Sequence, residues 1–554
     1  MTATGSFRNL NVGSFCQNSL NLICEVKNMN FYKDHYDVII MGAGLAGLSC
    51  ALQLQSRGIK DILILEKHNL PGGLATSYVR NGIEIEATLH EMMSIGTKED
   101  RLKVGAFFDD MGVDIDWLPV PEAYRFLQTT DGIDITLHAG YRRMADEIDA
   151  QFPGWGDKVY EFMLLMRRVY DSMNILSVTP MSKPEMLLKH PDFVKTVGYS
   201  AEQVMSTFEF PDEIEQILTP YWIYVGNPMN TLPFTIYAFL MADYFCGSYV
   251  AHGLSHEMSM KLEKKAEENG AQIEFRQEVE KILVHNGRVT GVRTKRGDEI
   301  ACDYVVSAAY PNKVYTQMIE PLSEVPEGAI KAVNARNLSV CPVSVMMVLD
   351  GSPEELGISD YNIFSGDTMD TTEIWDNYHT AGPYTYLTSI CLNLANPDCT
   401  PEGMCQFSIT ALPLVDSFLD VKEEDYPALK RKLAAEMIAN YEKNTGINIH
   451  DHIVEIEVET PITVAHYVGA WKGSIYGYAH CMDDHAVARL QMKAEDHFIR
   501  GLEFAGAHGM SGNGMGPAVT NGRAAAKGIL EAEAAKNKKT PASVIKNLIG
   551  GAGK

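Results

Sequence analysis

Gly42, Gly44 and Gly47 stand in the spacing G-x-G-x-x-G, and a carboxylate, Glu66, follows about 20 residues further on with Lys67 beside it. Glycines carry out no acid–base or nucleophilic chemistry. They let a backbone approach a phosphate. The first permits a tight turn, the second removes the Cβ that would stand before a pyrophosphate, and the third lets a helix pack closely on a strand. An acid at that distance accepts hydrogen bonds from a ribose 2′-OH and repels a 2′-phosphate, which disfavours NADP. These residue types predict a dinucleotide site.

Such a site needs particular elements around it, and the sequence supplies them. The apolar run at residues 38–41 suits a buried parallel strand, and residues 46–55 read as a helix. The start of that helix, around Leu45 and Ala46, offers free N–H groups and a positive dipole end to phosphates. A second apolar run, residues 62–65, ends at Glu66. A second glycine cluster lies at residues 501–530, where 502–505 suit a strand and 517–530 a helix with Pro517 near its first turn. Gly512, Gly514 and Gly516 between them permit close approach to a flat ligand. No second strand and no acid follow at the required distance, and the stretch around Gly253 offers no G-x-G-x-x-G. A second nucleotide-binding domain is therefore not expected. In mid-chain, residues 252–269 form an amphipathic helix ending at Gly270. Strands at 273–275, 279–284 and 289–294 follow, with an Asn286-Gly287 hairpin turn, then a return strand at 301–309.

Bulk properties bound the rest. A chain of 554 residues, 46% hydrophobic and 21% charged, is an ordered protein of about two domains. A net charge of −25 argues against nucleic acid as a partner. Ten cysteines without CxxC pairs or a zinc-ligand spacing read as reduced thiols of a cytoplasmic protein, with no metal site. Residues 1–33 read as a polar extension without a signal-peptide pattern. Residues 217–250 are strongly apolar, but Pro220, Gly226, Pro228 and Pro233 forbid one straight spanning helix. They suit core, or the lining of an apolar tunnel. Residues 158–173 share that richness in Met, Leu and aromatics, and 27 methionines suit an irregular apolar ligand as well as a core. The polar-basic tail, 536–554, reads as a frayed solvated terminus or a peripheral membrane contact.

Taken together, the fingerprint with its LPGG continuation (Gly72, Gly73), the mid-chain strands to residue 311, and the C-terminal FAGAHGMSGNGMGPAVTNGR stretch resemble a known group. It is the phytoene desaturase, carotenoid isomerase and retinol saturase group of the amine-oxidase-like flavoproteins. Residues 460–480, with TP and SIYG, are similar to a further family segment. The resemblance spans roughly residues 36–530 and implies FAD as the cofactor. By this resemblance Gly42, Gly44, Gly47 and Glu66 hold the ADP half, Gly72 and Gly73 flank the pyrophosphate and ribityl chain, and the Val279 backbone pairs with adenine. Ala308 and Ala309 lie over the cofactor, and Gly506 with Gly514, Met515, Gly516 and Pro517 contacts the flavin. A helix N-terminus there would stabilise negative charge on the reduced ring. His90 falls near the ring, although Thr88-Leu89 replaces the usual glycine. It is either a proton donor or acceptor with a near-neutral pKa or a packed histidine. Tyr476 is either a phenol near the ring or a turn aromatic.

The implied fold class is α/β: a Rossmann-like FAD-binding domain (three-layer ββα) with a discontinuous α+β substrate domain. The expected FAD pieces are residues 34–100, 247–335 and 485–534. The substrate pieces are 101–246 and 336–484, and 535–554 form a tail. The implied activity is desaturation, saturation or isomerisation at C–C bonds of a large apolar lipid or polyene, such as a carotenoid, retinoid or fatty acid. Its direction and the oligomeric state are left open. Two alternatives stand beside it. One is an amine oxidase, which would need a lysine near the ring, with Lys331 and Lys472 as candidates. The other is a prenyl-binding carrier of the GDP-dissociation-inhibitor type, against which the full glycine set argues.

Overall fold

The computed structural model describes residues 32–549, apart from 89, 180, 486–488, 490–497, 510, 511 and 513. Most of the expected N-terminal extension, and residues 550–554 of the tail, lie outside the described residues.

The strand His35–Met41 is buried along its last four residues, as a parallel strand covered on both faces must be. It pairs in parallel with Ile62–Leu65 on one side and with Glu299–Ser307 on the other. Ile62–Leu65 then pairs with Gln272–Glu274. The strand Glu299–Ser307 is long enough to do two jobs. Its start pairs antiparallel with the hairpin Val279–His285/Arg288–Thr294, and its end pairs in parallel with Leu502–Phe504. The last strand before the C-terminal glycines is thereby held one strand away from the first strand of the chain, with Glu299–Ser307 between them.

A second, seven-stranded sheet runs in the order Ile453–Glu459, Val343–Asp350, Met404–Ala411, Tyr386–Cys391, Asn362–Gly366, Tyr124–Gln128, Ile133–Leu137. Its central strand Tyr386–Cys391 is buried at every residue. The helix Tyr426–Thr445 packs on this sheet. The helices Gly156–Val178 and Phe234–Tyr244 pack on each other and share its core. The hairpin Ser77–Arg80/Ile83–Glu86 packs on this second sheet: Ile85 packs on Met346 and Val348, and the Gln406 side chain bonds the backbone of both Glu86 and Glu84.

One element differs from expectation. The C-terminal helix runs over Met515–Ile549, through most of the tail expected to fray. Its AAAKGILEAEAAK stretch is built of strong helix formers, and Lys527–Glu531 and Lys536–Glu533 ion pairs support it. The apolar stretch 217–250 is interrupted, as its prolines and Gly226 require, into a short 3₁₀ turn, Pro220–Tyr224, and the eleven-residue helix Phe234–Tyr244. Among the described residues no helix is long and apolar enough to cross a membrane.

Candidate functional site

The fingerprint turn is shaped as its residue types require. Gly42 has φ +108°, and a Cβ on it would sit 3.2 Å from the Ala308 Cβ. A Cβ on Gly47 would lie 2.0 Å from the Gly42 carbonyl oxygen. The helix Leu45–Gln55 begins at Gly44 with no side-chain cap, and helix geometry leaves the amides of Leu45, Ala46 and Gly47 without intrahelical carbonyls. Gly72 and Gly73, at φ +114° and +64°, close over this end: Gly44 bridges to Gly72, and the Gly72 amide donates to the Ala43 carbonyl at 2.9 Å. A Cβ on Gly72 would meet the Ala75 carbonyl oxygen at 2.2 Å. The result is a floor of backbone and unpaired N–H groups without side chains, which fits a pyrophosphate.

Glu66 is buried and held at both oxygens, accepting from the Ala43 amide at 2.7 Å and the His68 amide at 2.8 Å. The Arg276 and Gln277 amides donate to the His68 and Glu66 carbonyls, so the chain entering Val279 runs directly beside the acid. Acid and Val279 backbone could therefore hold ribose and base of one nucleotide. Lys67 points elsewhere, its ammonium lying against Gly469, and burial lowers its pKa.

The C-terminal glycines arrive at the same place from the other end of the chain. The Ala505 amide donates to the Ser307 carbonyl and the Ala308 amide to that of Met41, so Gly506 (φ +124°) stands next to Ala308 and Ala309. Gly514 has φ +101°, and the helix from Met515 starts there. The side of Gly516 where a Cβ would stand faces the Met93 carbonyl. Two residues overlooked in the sequence fix this turn. Asn521 donates to the carbonyls of Gly506 and Gly512, clamping the loop onto its own helix. Gly522 lets the two helices cross in contact, since a Cβ there would lie 2.2 Å from both the Ala46 carbonyl oxygen and Ser49 Oγ. A glycine inside a helix costs about 1 kcal/mol against alanine, so Gly522 after Asn521 carried a readable signal. Met510, Ser511 and Asn513 lie outside the described residues.

Behind this turn is a buried charge cluster that the sequence did not reveal. Asp484 pairs with Arg336 and Arg489 at 2.9 and 3.0 Å, Arg489 bonds His480 Nε2 at 3.0 Å, and that nitrogen faces Gly512. Burial lowers Arg489 to about 10. The Arg336 guanidinium lies 3.8 Å from the Tyr478 ring centre.

His90 and Tyr476 occupy the substrate-domain side. Among the described residues His90 Nε2 is buried without a partner, and burial pushes the ring down to about 4, well below the near-neutral value expected. The ring stays neutral at pH 7. Its carbonyl accepts from the Tyr361 hydroxyl. Tyr476 packs against the large core, its phenol pushed up by burial and by Glu91. Glu91, next to His90, was also missed. It is 9% exposed and accepts from Ser248 Oγ at 2.6 Å, Tyr221 Oη at 3.3 Å and Asn362 Nδ2 at 3.4 Å. Burial raises it to about 7. The lysines considered for amine oxidation lie elsewhere: Lys331 pairs with Glu327 at the surface, and Lys472 is exposed in a turn at φ +53°.

Two helix N-termini from opposite ends of the chain thus meet over one floor free of side chains. A dinucleotide with a flat ring at its far end needs both, one for its phosphates and one for the ring, and this places the protein among the FAD-dependent oxidoreductases. Residues 45–391, more than half of the chain, match the family model described as flavin containing amine oxidoreductase, and the chain belongs to that family. It is 23% identical over 454 residues to a chloroplastic prolycopene isomerase of Daucus carota, covering 80% of this chain and 72% of that protein. To an all-trans-retinol 13,14-reductase of Danio rerio it is 23% identical over 526 residues, covering 85% and 84%. Among solved structures, an oxidoreductase from Methanosarcina mazei matches with a TM-score of 0.60 at 14% identity, covering 88% of this chain and 99% of that one. This last likeness concerns the fold.

Proposed function

We propose that the protein adds, removes or relocates hydrogen at C–C double bonds of a large apolar polyene or lipid. The observation that carries this reading is the similarity, over 80–85% of the chain, to both a prolycopene isomerase and a retinol 13,14-reductase. The substrate-domain interior supports it, being built of Tyr, Phe, Met and aliphatic side chains. The surface placement of Lys331 and Lys472 weighs against amine oxidation.

In this reading Gly42, Gly44, Gly47, Gly72 and Gly73 hold the pyrophosphate by backbone, and Glu66 and Val279 hold the adenosine. Ala308, Ala309, Gly506 and the Gly514–Pro517 turn border the ring. We keep the domain limits expected from the sequence as part of this proposal. Bound FAD supplies the two-electron chemistry. The protein's own contribution is to orient the reacting carbon, exclude water, and provide the proton that accompanies each hydride.

The test is anaerobic incubation of the FAD-loaded protein, oxidised and reduced, with all-trans-retinol, prolycopene and a set of carotenes and unsaturated fatty acids. Mass spectrometry should find a gain or loss of two hydrogens, or chromatography a product of unchanged mass. Bleaching of the flavin by amines, with every polyene recovered intact, would replace this reading with the amine-oxidase one.

A further inference from the structure

A hydride shift at a C–C bond leaves a proton to be placed, and in a dry interior that proton needs a partner. The large core contains one carboxyl that suits the task by its surroundings. Glu91 sits on the segment running past the C-terminal glycine turn, two residues before Met93, whose carbonyl faces Gly516. Its carboxyl accepts from Tyr221 Oη at 3.3 Å, and its charge is felt by four further phenols. Tyr221 and Tyr224 come from the 3₁₀ turn, Tyr244 from the end of the neighbouring helix, Tyr361 from a strand entry, and Tyr476 from the SIYG turn. Tyr221 and Tyr244 stack at 4.1 Å between ring centres. Among the described residues the one other charge acting on Glu91 is that of Glu122, of the same sign, and no cation offsets it.

Within this group the proton has one suitable home. The phenols are all pushed upward by burial and remain protonated. His90 is held neutral. Glu122 is also raised by burial to about 7, but it is occupied as a backbone clamp, accepting from the Tyr361 and Asn362 amides. Glu91 is bound only by side chains, a hydroxyl, a phenol and an amide, whose donors can turn as its charge changes. It also titrates where a general acid–base group works best, near the operating pH.

We propose that Glu91 is the catalytic acid–base residue of this flavin site, exchanging a proton with the substrate carbon next to the one that exchanges a hydride. The inference rests on the C–C reading above. In the oxidising direction, one C–H bond breaks and its hydride passes with both electrons to FAD. The neighbouring C–H bond breaks, its electron pair forms the double bond, and its proton joins the Glu91 carboxylate. In the reducing direction Glu91 returns the proton to carbon as hydride arrives. In isomerisation both are returned to the same substrate.

The test uses the FAD-loaded full chain and two variants, Glu91→Gln, which keeps the shape, and Ser248→Ala, which keeps the carboxyl but removes the bond that favours its charged form. Without substrate, infrared difference spectra should show protonated-carboxyl absorption lost around pH 7; the Glu91 component should be missing in Glu91→Gln and moved to higher pH in Ser248→Ala, while the Glu122 component, raised by burial to about 7, persists in both. With all-trans-retinol and prolycopene as single-turnover probes, Glu91→Gln should lower the chemical step by about 10²–10⁴-fold at unchanged flavin content. It should also abolish uptake of deuterium from D₂O at the reacting carbon. The rate profile of Ser248→Ala should move with its infrared midpoint. A carboxyl band in Glu91→Gln undiminished from the wild type's, or a Glu91→Gln rate profile like the wild type's, overturns the proposal alone. Failure of the wild type to turn over either probe overturns the C–C reading and the proposal with it.

Discussion

Glu91→Gln should change how the protein's stability depends on pH, whatever the substrate. The wild-type carboxyl is raised from 4.5 to about 7, with burial the largest cause and the Ser248 and Tyr221 bonds opposing it. A carboxyl whose folded pKa lies above its unfolded one binds more protons in the folded state throughout that window. Stability is therefore fully present below about pH 4.5 and is lost as pH rises to 7. At about 1.4 kcal/mol per pKa unit, the loss is about 3 kcal/mol, with no further change above that range. Glutamine cannot ionise and escapes it. Its pH-independent costs, of about 1 kcal/mol for altered hydrogen bonds, cancel when one variant is followed across pH. The stability difference between variant and wild type should thus rise by about 3 kcal/mol from pH 4 to pH 8 in favour of the variant. Denaturant unfolding of the FAD-loaded proteins, followed by a substrate-domain tryptophan signal such as Trp222, measures it. A difference that stays flat to within about 1 kcal/mol would mean that Glu91 titrates as an ordinary carboxylate. The dry-site reasoning would then be wrong.

Further expectations follow from the same geometry. Gly72→Ala, at φ +114° and 2.2 Å from the Ala75 oxygen, should weaken FAD binding about tenfold or more, read by flavin retention on dialysis, as 1–3 kcal/mol of strain implies. Gly58→Ala, at φ +92° with nothing within 4 Å, should keep its flavin and so separate strain from loss of the cradle. Gly522→Leu should force the two helices apart, costing about 1–3 kcal/mol in thermal unfolding and releasing flavin at the same time. Asp484→Leu leaves Arg336 and Arg489 buried without their acid and should destabilise by about 3–5 kcal/mol, whereas Lys331→Ala at the surface should change stability and flavin content little.

The readable half of the molecule was the half that binds the cofactor. There each function needs a residue type with no substitute: a glycine where φ is positive, an acid at the end of the second strand. Strand limits such as 62–65 were legible because apolar runs end abruptly at charged or turn residues. The Asn521 clamp was less visible, because an asparagine early in a helix has many uses. Glu91 and the Arg336–Asp484–Arg489 group were not visible at all. Key partners lie over a hundred residues away, as Ser248 does from Glu91 and Arg336 from Asp484, and only the fold brings them together. His90 illustrates the same limit from the other side. Its identity suggested a near-neutral imidazole, but its burial, a property of the fold, lowers it to about 4. The tail misled because its lysines suggested solvation, while its alanines continue the helix.

The central claim is that a bound flavin exchanges electrons with a carbon–carbon bond. Mixing the oxidised and the reduced holoprotein with polyenes, and separately with primary amines, in an anaerobic stopped-flow spectrophotometer tests this most directly. The account predicts that the visible flavin band falls or recovers with a polyene, in step with formation of the product, and stays unchanged with amines. Bleaching by amines and indifference to every polyene would contradict it.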